Sequence, residues 1–185
     1  MTALAYSPLA ELLAGIGVTV ETDLATAGEA AFSPDRRHRY ALTRRWRGDT
    51  ELLPWVMLNP STADAFRLDP TVTRCAGFSR RQGAGGLLVL NLYAYRSTNP
   101  KALRDAADPI GELNDAVTVR VLAALHGTGR PVVCAWGANA DPGRARRAVQ
   151  LIRDAGHQPV CLGRTSSGQP RHPLYVAGKT PLEDL

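Results

Sequence analysis

Residues 52–92 read LLPWVMLNPSTADAFRLDPTVTRCAGFSRRQGAGGLLVLNL and contain the pattern that decides the fold. The stretch begins and ends with short apolar runs, Leu52–Leu58 and Leu87–Leu92, which are typical of strands buried on both faces. Between them, the pair Asp69–Pro70 predicts a helix start, because Asp accepts an orphan amide hydrogen bond and Pro has no amide to leave unpaired. The helix should end at Gly83, since glycine is preferred just past a helix. The stretch therefore predicts a strand–helix–strand unit.

The same unit recurs downstream. Two more apolar runs lie at Val132–Trp136 and Gln158–Leu162, and Asp108–Pro109 and Asp141–Pro142 mark two more helix starts. Alternating strands and helices of this kind predict right-handed crossovers and a parallel sheet. We therefore predict an α/β fold with three α/β/α layers around a central four-stranded parallel sheet. Residues 18–47 should add antiparallel strands at one edge of that sheet.

Length and composition favour one folded domain. The chain has 185 residues, which suits a single domain made of an N-terminal extension, 1–50, and an α/β core, 51–185. With 44% hydrophobic and 21% charged residues, it can bury a core and is not a disordered chain. The sequence has neither an apolar run of about 18 residues nor a basic leader before a hydrophobic stretch. We expect a cytoplasmic monomer that does not enter a membrane.

The cysteines and histidines favour no metal site. The three cysteines, Cys75, Cys134 and Cys161, are odd in number and widely spaced, which excludes a fully paired disulfide framework and a CxxC zinc site. We expect three buried thiols. The four histidines are scattered as well, and the chain has no Walker loop, since GAGG at 83–86 precedes a strand rather than a helix. We expect neither a metal nor another cofactor.

The charge balance favours a nucleic-acid partner. The net charge is +5, and 20 of the 22 basic residues are arginines, which bind phosphate bidentately. A GC-rich genome would produce the same arginine bias. Six arginines fall within 31–50, which indicates a basic face, although a solvated edge strand would look similar.

Polar residues lie at or just after the end of each predicted strand, where open α/β sheets bind their ligands. Taken singly, each of these residues is explained by a turn, a cap or the core. Together, two Asn, an Arg and a His converge on one sheet edge, and such groups need either one another or a ligand. Amide side chains suit the hydrogen-bonding edge of a planar ligand such as a nucleobase. The segments are 59–64 (NPSTAD), Asn91, 136–139 (WGAN) and 164–173 (RTSSGQPRHP).

The order of these segments resembles the uracil-DNA glycosylase superfamily. The relevant motifs are LNPS, LLVLN, VVCAWGANA and RHP, in that order. Residues 40–185 also resemble a bacterial family of unknown function, number 1643, through LNPSTAD, DPT, GFSRR, VLNLYAYR, WG and QPRHPLY. The first resemblance implies a four-stranded parallel sheet between helices. It also implies a metal-independent DNA glycosylase that removes a damaged or modified base.

The resemblance implies a role for each matching residue. Asn59 would hold the attacking water, Asn91 would bind the Watson–Crick edge of the flipped base, and His172 would donate to the base oxygen that gains negative charge. Asp64 or Asp69 is an alternative general base. The remaining implied residues contact the substrate: Pro60, Ser61, Thr62, Trp136, Gly137, Asn139, Arg171 and Pro173, with Arg164 as a further phosphate contact and Leu174 or Tyr175 as the wedge that replaces the base.

Departures from the superfamily leave other functions open. The loop after Pro60 reads Ser61 to Asp64, and Leu174 stands where the superfamily has Ser. The base recognised therefore need not be uracil. A non-catalytic nucleic-acid or nucleotide-binding protein is an alternative, because Asn59 stands in place of an acid. A hydrolase of small nucleotides would fit the same pocket.

Overall fold

The computed structural model of the chain describes residues 8–47 and 51–185. Residues 1–7 and 48–50 of the expected N-terminal extension lie outside this range. Strands in the described part are β1 Thr19–Asp23, β2 Gly28–Phe32, β3 Arg39–Arg45, β4 Leu52–Met57, β5 Gly86–Asn91, β6 Val132–Cys134, β7 Pro159–Cys161 and β8 Glu183–Asp184. Helices there are α1 Leu9–Leu12, α2 Pro70–Arg81, α3 Asn114–Ala124 and α4 Pro142–Asp154, with short 3-10 helices at Pro100–Leu103 and Pro173–Tyr175.

The strands form one mixed sheet in the order β1-β2-β3-β5-β4-β6-β7-β8. The predicted α/β class is confirmed. The predicted four-stranded parallel sheet, extended at one edge only, is not: the described residues form one eight-stranded mixed sheet with antiparallel strands at both sides. Strands β4 to β7 pair in parallel, whereas β1, β2, β3 and β8 add antiparallel pairings at the two sides. These outer strands satisfy backbone groups that the edges of β5 and β7 would otherwise leave unpaired. Strand β8, only two polar residues long, carries no sequence signal for a strand.

The two faces of the sheet carry separate cores. Alternate residues of β5 divide between them: Leu88 and Leu90 pack with α1, α3 and α4, whereas Leu87 and Val89 pack with α2. This division explains why β4 and β5 read as continuous apolar runs, since a strand covered on both faces has no solvent side.

Two of the three predicted helix starts are confirmed. The Asp69 side chain accepts a hydrogen bond from the Val72 amide at 2.8 Å, and α2 begins at Pro70. The Asp141 side chain accepts from the Arg144 amide, also at 2.8 Å, at the start of α4. In both helices the Asp supplies the missing acceptor and the Pro fills the first helical position.

The third predicted start, Asp108–Pro109, is wrong, because α3 begins at Asn114. The carbonyl of Pro109 accepts from the Tyr95 amide, and the next carbonyl accepts from the Ala94 amide. Asp108 instead accepts from the Gly111 amide at 2.9 Å, which closes a turn. Long-range pairing with the chain after β5 therefore prevents the helix from starting at the Asp–Pro pair.

Chain order creates a crevice at the end of β4. In the sheet, β5 and β6 are the two neighbours of β4, one on each side. The chain passes from β4 to β5 through α2 and from β5 to β6 through α3. The two helices pack on opposite faces of the sheet. Open α/β sheets bind ligands at such a switch point, outside the carboxyl ends of the strands. Within the described ranges, no helix has both the length and the apolar character needed to cross a membrane.

Candidate functional site

A cavity of about 730 Å³ opens at the carboxyl ends of the parallel strands, and we call it the strand-end cavity. Its wall includes residues at the ends of β4, β5 and β6 and in the loop that follows β7. Polar side chains in the wall are Arg39, Asn59, Ser61, Asp69, Thr71, Asn91, Thr98, Asn139, Thr165, Ser166, Arg171 and His172. Apolar side chains and glycine complete it: Met57, Leu58, Val72, Val89, Trp136, Gly137, Ala138, Leu174 and Tyr175.

Most of the predicted site residues meet in this cavity. Those that line it are Asn59, Ser61, Asn91, Trp136, Gly137, Asn139, Arg171 and His172. Three predicted neighbours do not: Pro60 and Pro173 are buried beside it, and Thr62 is exposed outside it. Arg164 also lies outside the wall and donates to the Asp184 carbonyl at 3.4 Å.

Asp64 does not reach the strand-end cavity. Its carboxylate accepts the amides of Phe66 and Arg67, at 2.9 and 2.8 Å, and so closes its own loop. The carboxylate in the cavity wall belongs to Asp69, which is 8% exposed. Of the two acids expected as alternative general bases, Asp69 is therefore the one that lines the cavity, and it also caps α2.

Asn91, at the end of β5, is held by a buried arginine. Arg39 Nη2 donates to Asn91 Oδ1 at 3.2 Å, and Arg39 Nη1 donates to the Ala63 carbonyl at 2.8 Å. Asn91 Nδ2 is buried and has no hydrogen-bond partner. A buried donor without a partner is costly, so this amide nitrogen needs an acceptor that the described residues do not supply.

Arg39 brings a buried positive charge to the cavity wall. The side chain is 2% exposed, its Nε has no partner, and none of the ion pairs among residues 8–47 and 51–185 includes it. Burial lowers the pKa of Arg39 to about 10, and the charge of Asp69 partly opposes that shift. The guanidinium therefore stays protonated at neutral pH. Its charge favours an electron-rich ligand.

Asn59, just after β4, uses its amide in the opposite way to Asn91: its nitrogen is paired and its oxygen is left over. Its Nδ2 donates to the carbonyls of Pro60 at 3.1 Å and Ser97 at 2.8 Å. Both amide hydrogens are used, so Oδ1 is the atom left for another partner. Asn59 is thus fixed as an acceptor, which suits a water molecule or a ligand N–H.

His172 is suited to donate a hydrogen bond as a neutral ring. Burial lowers its pKa, although the charge of Asp69 acts in the opposite direction. Its Nδ1 accepts from the Leu174 amide at 3.4 Å. In a neutral imidazole with Nδ1 as the acceptor, the proton is on Nε2.

The loop that carries His172 is fixed from two sides. Arg74, on α2, donates to the carbonyls of Pro173 at 3.3 Å and Val176 at 2.6 Å. On the other side, Gly137 adopts φ +77°, and a Cβ built on it would lie 3.3 Å from the His172 Cβ. Only a residue without a side chain accepts both this conformation and this close approach.

The carboxyl end of β5 is held in place by a residue of α3. Asn114, at its start, is fully buried and donates through Nδ2 to the carbonyls of Asn91 and Leu92, at 3.0 Å each. Arg144 of α4 also donates to the Leu92 carbonyl, at 2.7 Å. These contacts hold the strand end that bears the Asn91 side chain.

Sequence reasoning missed the roles of Arg39, Arg74 and Asn114. Arg39 is one of six arginines in a run that reads as a basic face, and nothing local distinguishes the buried one from the others. Arg74 and Asn114 act through backbone carbonyls far away in sequence. One available signal for Asn114 is its place at a helix start inside an apolar pattern.

The cysteine thiols lie outside the strand-end cavity. The three cysteines are free and buried, as predicted, and none lines the strand-end cavity. Burial raises the pKa of all three thiols, so they are protonated at neutral pH. Across the described residues, no group of three or more His, Cys, Asp or Glu is arranged to hold a metal ion.

Comparison with known proteins assigns the chain to one family. No curated protein matches the sequence. A solved structure that resembles the chain is the crystal structure of L-tryptophan dehydrogenase from Nostoc punctiforme, at 14% identity and a TM-score of 0.28. The likeness covers 84% of this chain and 40% of that one, so the chain spans less than half of the dehydrogenase. A family described as "Protein of unknown function (DUF1643)" matches residues 39–174. Because this match covers most of the sequence, the chain belongs to that family.

Proposed function

We propose that the protein is a DNA glycosylase-like hydrolase that removes a damaged or modified base by cleaving its N-glycosidic bond. The observation that carries this proposal is the meeting of Asn59, Asn91 and His172 in one cavity of about 730 Å³. The first is fixed as an acceptor, whereas the other two retain donors. The order of motifs that resembles the uracil-DNA glycosylase superfamily supports the same function.

The base would bind in the strand-end cavity as a flipped nucleotide. Asn91 Nδ2 would donate to an oxygen on the edge of the base and so gain the partner that it lacks. His172 Nε2 would donate to an oxygen that becomes negative as the bond to the sugar breaks. A fixed donor outside bulk water stabilises such a charge strongly. The charge of Arg39 acts in the same direction.

Water is the second reactant. Its oxygen bonds to the sugar carbon C1′ while the bond from C1′ to the base nitrogen breaks and the base departs with the electron pair. Asn59 Oδ1 would accept a hydrogen bond from that water and orient it. The proton that the water loses passes to Asp69 or to solvent. Asp69 is suited to this task because it is the carboxylate in the cavity wall.

The rim offers contacts for a DNA strand. Arg171 is exposed at the cavity and is suited to bind a flanking phosphate. Leu174 and Tyr175 are 43% and 79% exposed, and the Tyr175 ring lies 5.6 Å from the His172 ring. An exposed apolar side chain beside the pocket suits the wedge that fills the space left by a flipped base.

Strand cleavage at abasic sites tests the proposal. Oligonucleotides carrying uracil, hypoxanthine, xanthine or hydroxymethylated or glucosylated pyrimidines are incubated with pure protein. Wild type should release at least one base. Asn59→Ala and His172→Ala should lower that rate by about 100-fold or more, which is the loss typical of one catalytic group. His126→Ala serves as the control, because His126 is exposed and lies outside the cavity wall.

A non-catalytic binder of nucleic acid or nucleotide is the second candidate. It is favoured by the amide of Asn59, which orients water but cannot take its proton. Binding that Asn91→Ala abolishes, with no base release from any oligonucleotide in the panel, would establish this function instead. Base release from mononucleotides alone, without affinity for DNA, would indicate a hydrolase of small nucleotides.

A further inference from the structure

We infer that Arg39 is a specificity-determining positioning residue: it fixes the Asn91 amide as a donor, so that the strand-end cavity selects bases with a carbonyl oxygen over bases with an amino group. This inference rests on the proposed function, since it assumes that a base occupies the cavity. It adds the substrate class and the residue that sets it.

The first step is the orientation of the Asn91 amide. A guanidinium has five N–H donors and no acceptor. The Asn91 atom at 3.2 Å from Arg39 Nη2 must therefore be the oxygen, Oδ1. Turning the amide around would bring two donors face to face and lose a hydrogen bond to a charged group. Arg39 thus holds Nδ2 away from itself.

The second step is what the freed nitrogen requires. Asn91 lines the cavity, is 3% exposed, and has no partner for Nδ2. A carbonyl oxygen on the ligand would accept from it. An amino group in the same place would present a donor to a donor, and both would remain buried and unpaired. Sites that hydrogen-bond a substrate in this way reject the mismatched analogue strongly, because the unpaired group loses its water as well.

The third step is that Arg39, unlike the other buried arginine of β3, lines the strand-end cavity. It is anchored by Ala63 through Nη1, and it is buried without an ion-pair partner among the described residues. Arg44, on the same strand, is also buried and also leaves its Nε unpaired, but it does not line the cavity. Its guanidinium donates to Thr26 and to the Asp64 carbonyl. Arg44 is therefore a matched control.

The test measures binding separately from cleavage. The probes are single-stranded oligonucleotides that carry one base on a 2′-fluoro-arabino sugar, whose fluorine slows base loss. Two pairs exchange a carbonyl oxygen for an amino group, and the adjacent ring N–H for an unprotonated nitrogen: uracil against cytosine, and hypoxanthine against adenine. Wild type should bind the carbonyl member of at least one pair about 10- to 100-fold more tightly, which is the range for one good base contact.

The variants separate positioning from folding. Arg39→Met removes every donor but keeps a long apolar side chain, so the Asn91 amide is free to turn around. We expect the carbonyl-to-amino ratio to fall to about 1 to 3. Arg44→Met should leave the ratio at the wild-type value. An Arg39→Met protein with weaker binding overall and an unchanged ratio would overturn the inference, since that result indicates a purely structural arginine.

Failure of the inference and failure of the proposed function give different results. Equal wild-type affinity for both members of each pair, or no binding to any probe, overturns the inference whether or not bases are released in the cleavage assay. A carbonyl preference that Arg39→Met abolishes supports the inference even if no base is ever released. In that case only the hydrolase proposal fails, and the second candidate function applies.

Discussion

His172 needs its neutral form for the role proposed here, and the structure favours that form. Burial lowers its pKa below the ordinary value of 6.5, while Asp69 acts in the opposite direction. Because the folded-state pKa is lowered, a rate that needs the neutral ring should persist as the pH falls past 6.5. It should be lost only at a more acidic pH. The free energy of unfolding should also fall as the pH drops from 6.5 toward the lower folded-state pKa, because the unfolded chain binds the proton more readily there.

We predict that the pKa of His172, followed by NMR of the ring protons, lies below 6.5 and falls further in Asp69→Asn. This variant removes the negative charge and keeps a side chain that caps α2 equally well. Asp141→Asn removes the corresponding acid at the start of α4 and should leave the His172 pKa unchanged. A His172 pKa above 6.5, or one that rises in Asp69→Asn, would contradict this electrostatic account.

Gly137 should be required for the position of His172. Gly137→Ala should lower the free energy of unfolding by about 1–2 kcal/mol, because alanine is strained in a left-handed backbone. It should also displace His172, whose Cβ lies 3.3 Å from the added methyl, and so weaken binding of base-containing oligonucleotides. Gly168 also has positive φ, at +79°, but nothing lies within 4 Å of its Cβ position. Gly168→Ala should therefore lose similar stability and keep its affinity for base-containing oligonucleotides. Equal loss of affinity in both variants would show that backbone strain alone is responsible.

At the scale of residues, sequence reasoning identified the side chains at strand ends and missed those that orient them. Asn59, Asn91 and His172 follow from the rule that ligands bind beyond the carboxyl ends of parallel strands. Asp64 satisfies the same rule, yet its own loop amides use its carboxylate. Arg39 contacts Asn91 across 52 residues of sequence, and no local pattern reports such a pairing.

Among the elements, α2 both covers the sheet and holds the His172 loop through Arg74. Arg74→Met should remove its two hydrogen bonds to the Pro173 and Val176 carbonyls. Hydrogen bonds to charged groups stabilise by about 1.5–3 kcal/mol, so amide exchange in 174–176 should accelerate at least about tenfold. Arg81→Met is the control, since Arg81 contacts the same Phe78 ring but has no bond to the loop. Unchanged exchange in Arg74→Met would show that other contacts hold the loop.

The elements that could be predicted are those with local signals. Asp–Pro pairs set the starts of α2 and α4, because cap and first turn are adjacent in sequence. The pair at Asp108 carries the same signal, but backbone pairing with residues 94 and 95 overrides it. Strands β3 and β8 pair antiparallel with β5 and β7, the two edges of the parallel strands. Which edges are open to such pairing depends on the assembled sheet, so no single segment of sequence predicts it.

For the whole molecule, the net charge of +5 and an exposed arginine at the rim predict salt-dependent DNA binding. Each phosphate contact contributes about 0.9 to the slope of log affinity against log salt. Arg171→Gln should reduce that slope by about 1. Arg120→Gln, an exposed arginine of α3 outside the cavity wall, should leave it unchanged. A slope near zero in wild type would exclude phosphate contacts as the source of affinity.

Every role proposed for the site requires that a nucleobase binds in the strand-end cavity through Asn91 and His172. The most direct measurement is a proton–nitrogen NMR titration of the protein with a single-stranded oligonucleotide carrying 2′-fluoro-arabino-uridine, with side-chain signals assigned from Asn91→Ala and His172→Ala. We expect the Asn91 Nδ2 and His172 Nε2 signals both to shift, and both to become protected from exchange with water. Binding that leaves both signals unmoved while residues outside the cavity respond would contradict the account.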